Sequence, residues 1–130
     1  MRMRSCVFVI EQDDTIRRFI CEALSFVGIF CKPFPSCGGV LDAIMDNRVS
    51  MLILDVDYPN LEAFELLYEL KLKDPYLPVL ATSSKTSSLE HLNISHTLNK
   101  PFNRMELIGN VFDMLSKMRT QQSRHMVMAP

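Results

Sequence analysis

The stretch MLILDVDYP, Met51 to Pro59, decides the fold. Four apolar residues run without a break into Asp55, and Asp57, Tyr58 and Pro59 stop the run. A continuous apolar segment closed by a turn signal predicts a strand buried on both faces, as in the middle of a parallel sheet. Asp55 then sits at the strand's carboxyl end, the edge of open α/β sheets where ligands bind. An aspartate there either caps the next element, Asp being a common turn residue, or is a working group. The rest of the chain decides between the two.

Upstream, Ser5 to Ile10 (SCVFVI) is β-branched and aromatic and reads as a first strand, ending in the acidic cluster Glu11, Gln12, Asp13 and Asp14. Asp13 or Asp14 can cap a helix in which Ile16, Phe19, Ile20, Ala23, Leu24 and Val27 recur at helical spacing, and Gly28 closes it. Ile29 to Phe34 predicts a weaker strand whose Pro33 belongs on a sheet edge. A short helix runs from Ser36 through Val40, Leu41 and Ile44 to about Asn47, weakened by Gly38 and Gly39.

Downstream, Leu61, Phe64, Leu67 and Leu70 predict one face of a helix that ends before Asp74-Pro75. Leu77 to Thr82 predicts a fourth strand running into the hydroxyl-rich segment Ser83 to Ser88, and Leu89 to Asn93 leaves room for a turn or two of helix. Ser95 to Asn99 reads as a short fifth strand before Lys100-Pro101-Phe102. The last helix, about Asn103 to Arg119, buries Met105, Ile108, Val111 or Phe112, Leu115 and Met118. Five strands alternating with five helices, the fourth short, predict a doubly wound α/β domain over residues 1–119. Residues 120–130, polar and then Met-rich, read as a tail or linker to a further domain.

A length of 130 residues is that of one domain, and 48% hydrophobic residues argue against disorder. A net charge of −1 gives no electrostatic reason to expect nucleic acid or an anionic membrane as partner. No apolar run approaches a membrane span, and the charged-then-apolar start MRMRSCVFVI is cut short by Glu11 to Asp14, so it reads as a strand rather than a signal peptide. A cytoplasmic location is expected. Cys6, Cys21, Cys31 and Cys37 form no CxxC pair and read as reduced thiols. The absence of a Gly-rich loop after the first strand disfavours a dinucleotide or Walker-type phosphate site.

In a parallel sheet with helical crossovers, all strand carboxyl ends share one edge. Glu11, with Gln12, Asp13 and Asp14 beside it, Asp55, Ser83 and Lys100 therefore converge on one rim. The set suits phosphoryl transfer to a carboxylate: a nucleophilic acid, oxygens for a hard divalent cation, and a hydroxyl and an ammonium for the phosphoryl oxygens.

Over roughly residues 5 to 119 the sequence resembles the receiver domains of two-component response regulators. The likeness rests on the acidic cluster, Ile16 to Arg18, LDVDYP around Asp55, PVLATSS from Pro78, and Lys100 to Phe102. It implies a flavodoxin-like sheet of order 2-1-3-4-5 and Asp55 as phosphoacceptor. It further implies Ser83 as the switch hydroxyl, Lys100 as the phosphate-contacting cation with a cis bond before Pro101, and Mg²⁺ on Glu11, Gln12, Asp55 and the Asp57 carbonyl. The implied partners are a histidine kinase or histidine phosphotransfer protein and an output domain or downstream protein. Such a domain is a signalling module and not an enzyme beyond its own phosphorylation and dephosphorylation.

Four residues or segments depart from the family pattern. Gln12 stands where a second acid is usual and should weaken Mg²⁺ binding. Ala63 replaces a glycine, which should send its loop along another path. Thr97 replaces an aromatic ring, and Ser83 to Lys100 is short at the expense of the fourth helix. Gln12, Thr97 and the short fourth helix support a second reading, a pseudo-receiver that binds partners without phosphorylation. A third, a haloacid-dehalogenase-type phosphohydrolase, rests on LDVD alone and conflicts with the order of the acids along the chain.

Overall fold

The computed structural model describes residues 6–57, 61–85, 94 and 96–128, with side chains described as far as residue 117. Its strands are β1 (Cys6–Ile10), β2 (Phe30–Phe34), β3 (Met51–Asp55), β4 (Val79–Ser83) and β5 (His96–Asn99). Its helices are α1 (Asp14–Phe26), α2 (Val40–Asp46), α3 (Leu61–Lys73) and α4 (Arg104–Met128). All strand pairs are parallel, in the order β2-β1-β3-β4-β5. The order matches the expected flavodoxin-like sheet, with Pro33 on the edge strand.

Successive side chains of a strand point to opposite faces, so a strand inside a doubly covered sheet must be apolar throughout. β3 meets this condition, all five of its residues being buried. Val7, Val9, Met51 and Ile53 pack on one side with Ile20 and Leu24 of α1 and Leu107 and Val111 of α4. Phe8, Ile10, Leu52 and Leu54 pack on the other with Val40 and Ile44 of α2 and Leu66 and Leu70 of α3. Glu11 and Asp55 are thus carried at the ends of the two strands buried deepest in the sheet.

Helix ends follow local chemistry. Asp13 caps α1, its Oδ1 accepting from the Ile16 amide at 3.0 Å. Gly28, at φ 83°, supplies the left-handed turn that follows. Asn103 and Glu106 cap α4 reciprocally: Asn103 Oδ1 accepts from the Glu106 amide at 2.8 Å and Glu106 Oε1 from the Asn103 amide at 3.3 Å. α2 starts four residues later than expected, because Gly39 takes φ 75° and the helix begins only after it.

Three expectations are corrected. The buried face of α3 is Ala63, Leu66 and Leu70, whereas Leu61 and Phe64, assigned to that face from their spacing, are exposed. A helix apolar on two sides satisfies more than one helical register, and the pattern alone does not choose. Ala63, expected to divert a loop, is a fully buried residue of α3's first turn, and there a methyl group helps where glycine would not. The final helix, expected to stop near Arg119, continues to Met128, since no Gly or Pro interrupts residues 110–128. The short helix expected at Leu89 to Asn93 lies outside the described residues. Among the described residues no helix is long and apolar enough to cross a membrane.

Candidate functional site

Backbone bonds beyond the strand ends bring the rim together. The Glu11 amide donates to Phe34 O at 3.1 Å, the Val56 amide to Thr82 O at 3.0 Å and the Lys100 amide to Ser83 O at 2.9 Å. These extend the ladder by one residue, so Glu11, Asp55, Ser83 and Lys100 hold fixed register across four neighbouring strands. Three of them, Glu11, Asp55 and Ser83, are buried.

Lys100 is the hub. Its Nζ lies 2.8 Å from Glu11 Oε1, 3.1 Å from Asp55 Oδ1 and 3.5 Å from Asp57 Oδ2. Asp55 Oδ1 also accepts from the Asp57 amide at 2.9 Å, and Glu11 Oε2 from the Asp13 amide at 2.9 Å. Asp57 turns the other way: its Oδ1 accepts from Ser83 Oγ at 2.7 Å and from the Ser84 amide at 2.9 Å, and its Oδ2 from Ser84 Oγ at 3.2 Å. One ammonium therefore serves three carboxylates.

The proton affinities follow from these contacts. Burial pushes the Glu11 carboxyl above its ordinary value, and the opposing pull of Lys100 and the Asp13 amide does not overcome it. Burial also acts to raise Asp57, but the hydrogen bonds from Ser83 and Ser84 and the charge of Lys100 win, and its net direction is down. Burial acts to lower Lys100, yet Glu11 and Asp55 hold it above the usual lysine value. The cluster keeps its cation charged.

The donor set is compatible with a hard divalent cation in its chemistry. Glu11 Oε1 is buried and among the described residues has no hydrogen-bond partner of good geometry beside its ion pair with Lys100, and the acids outnumber the ammonium. Among the described residues, however, no three acid, His or Cys side chains are gathered as a cage. Glu11, Asp55 and Asp57 would hold a metal by sharing the space with Lys100. The Gln12 side chain is exposed and takes no part in the contacts that tie the cluster. Thr97 is an exposed residue of β5, paired with Ala81.

Two contributors escaped the sequence reading. The Arg17 side chain is mostly buried; its Nη1 donates to the Glu11 carbonyl at 2.7 Å and its Nη2 pairs with Asp14. It braces the loop that carries the acids. Ser84 adds two donors to Asp57. The signal for Arg17 was its place in the first turn of α1, aimed back at the strand end. That for Ser84 was only its membership of a hydroxyl-rich run.

No protein-family profile matches the chain. It is 27% identical over 124 residues to the DNA-binding transcriptional regulator NtrC of Klebsiella pneumoniae, covering 92% of this chain and 26% of that protein. It is 25% identical over 133 residues to the regulatory protein VanRc of Enterococcus gallinarum, covering 98% of this chain and 56% of that one. The chain thus spans about a quarter to about half of the length of these relatives. Among solved structures, NtrX from Brucella abortus superposes with a TM-score of 0.84 at 23% identity over 96% of this chain and 30% of that one. A CheY-like receiver domain protein from Methanospirillum hungatei superposes at 0.79 and 18% identity, covering 92% of this chain and 99% of that one. Strand order and these superpositions give the chain the fold of CheY-like receiver domains, and its sequence is similar to that of the regulators NtrC and VanRc.

Proposed function

We propose that Asp55 accepts a phosphoryl group from a phosphohistidine of a kinase or phosphotransfer protein, and that the phosphorylated domain controls an output domain or a downstream protein. The observation that carries this is the placement of Lys100 between the buried carboxylates of Glu11 and Asp55. Among the described residues the hydrogen bonds and the ion pair to the Asp55 carboxylate use Oδ1, so Oδ2 is assigned here as the attacking oxygen. An Oδ2–P bond forms as the P–N bond of the donor breaks, and the imidazole nitrogen leaves with the electron pair. Lys100 would follow the transferred charge, and Ser83 Oγ would leave Asp57 for a phosphoryl oxygen. A bound Mg²⁺ would neutralise the phosphoryl oxygens, with Glu11, Gln12, Asp55 and Asp57 as the residues offered to it.

The relatives' names tie NtrC to DNA binding and transcription. By likeness to it, an attached transcriptional output is one fitting use for this domain.

Intact-protein mass after incubation with acetyl phosphate tests the reading, with and without Mg²⁺, on wild type and Asp55→Asn. A metal-dependent phosphoryl adduct lost in the variant is expected. An adduct that survives Asp55→Asn, or none in wild type, overturns it.

A further inference from the structure

Two of the four cysteines meet where α1 lies on the edge strand β2. Cys21 of α1 and Cys31 of β2 pack against the same core on the α1 side of the sheet, and their thiols are hydrogen-bonded to one another. Both line an open cleft of about 680 Å³ between the two elements, and both stay partly exposed. Cys6 and Cys37 pack against the other core, so the sheet stands between them and this pair.

The two thiols are unequal. The hydrogen bond with Cys31 holds the Cys21 thiol below its ordinary value; burial opposes this, and the guanidinium of Arg17, one helical turn earlier, adds to the lowering. The same bond, with burial, pushes Cys31 up. Cys31 Sγ also lies 3.8 Å from the Ile29 carbonyl, a second acceptor for its proton. An acidified thiol open to solvent, with another thiol in contact, is the arrangement of a nucleophilic cysteine and its resolving partner.

We propose that Cys21 and Cys31 form a thiol–disulfide couple whose oxidant is a small soluble disulfide. Cys21 Sγ, as thiolate, attacks one sulfur of the oxidant. The oxidant's S–S bond breaks, its first thiolate leaves with the electron pair, and a mixed disulfide stands on Cys21. Cys31 Sγ gives up its proton, attacks Cys21 Sγ and expels the second small thiolate. Two electrons and two protons pass from the protein pair to the oxidant, which ends as two thiols.

The new bond ties α1 to the edge strand. In reducing surroundings the pair rests as thiols, and the bond forms when the ratio of disulfide to thiol rises. None of the rim side chains takes part, so the couple stands whether or not Asp55 accepts phosphate.

The test is to incubate the reduced full chain in glutathione buffers of increasing disulfide fraction, alkylate the remaining thiols with N-ethylmaleimide and weigh the intact protein. Wild type should fall from four alkylated thiols to two, and dithiothreitol should restore all four. Cleavage after Glu22 puts Cys21 and Cys31 on separate peptides, which should stay joined until reduced. Cys31→Ser should stop at a mixed disulfide with glutathione on Cys21, and Cys21→Ser should lose thiols about tenfold more slowly than wild type. The double variant Cys6→Ser/Cys37→Ser should oxidise as wild type does. Four thiols in every buffer, a bond joining other cysteines in wild type, or oxidation of Cys21→Ser at the wild-type rate overturns the proposal.

Discussion

Lys100 Nζ lies closer to Glu11, at 2.8 Å, than to the proposed phosphoacceptor Asp55, at 3.1 Å. The cation is thus shared between the acid nearest the first strand and the acid that would react. Two buried carboxylates share a single amine. Removing one member of such a group leaves an uncompensated buried charge, which costs far more than an exposed pair is worth.

Lys100→Met should therefore lower stability by about 3–5 kcal/mol in urea unfolding. Adding Glu11→Gln to that variant should recover part of the loss, because one of the stranded charges disappears. A loss under about 1 kcal/mol, with no recovery in the double variant, would show that the cluster is solvated and the pairing marginal.

The acid and alkaline limbs of stability should separate the members of the cluster in metal-free buffer. The depressed Asp57 carboxyl stabilises the fold at pH above its ordinary 3.8, and that contribution fades as pH falls through the lower folded value. Asp57→Asn should flatten this part of the acid limb. Glu11 works in the opposite sense: its raised value penalises the fold while it is charged, and the penalty lifts as pH falls through that value. Lys100, raised above 10.5, stabilises at all lower pH and stops doing so as pH climbs through its folded value. Urea midpoints across pH for the three single variants check the signs, and a variant that shifts the wrong limb counts against its assignment.

Gln12→Asp should tighten Mg²⁺ binding by isothermal titration, since it adds a charge one residue from Glu11 at the rim. Unchanged or weaker binding would take position 12 out of the metal site, as its exposure already makes possible.

Asp13→Ala should cost about 1 kcal/mol through the lost cap of α1. The loss should appear in thermal unfolding while acetyl phosphate labelling of Asp55 persists. Loss of labelling with the fold intact would make Asp13 part of the chemistry rather than of the helix.

Most of the fold was legible because β1, β3 and β4 are runs of apolar residues too short for helices and closed by polar turns. The rim positions of Asp55 and Ser83 were legible for the same reason, each being the residue where such a run stops. What was not legible depends on direction rather than spacing. α3 is apolar on two sides, so Leu61 and Phe64 took the place of Ala63 and Leu66 in the reading. Arg17 looks like any surface arginine until the chain folds back and its guanidinium meets the Glu11 carbonyl. Asp57 was read for its backbone, and its side chain proved the better connected, because only the folded chain brings Ser83 and Ser84 across to it.

Ser83 begins with its hydroxyl already spoken for. The 2.7 Å bond to Asp57, with Ser84 holding the same carboxylate, moors the start of the segment after β4 to the end of β3. A phosphoryl group on Asp55 would thus compete for a donor rather than recruit an idle one. The proposed switch would then turn on the difference between two partners for one proton. On the proposed function, Ser83 would be a latch that an added charge on Asp55 releases from Asp57 and that re-forms when the charge is lost.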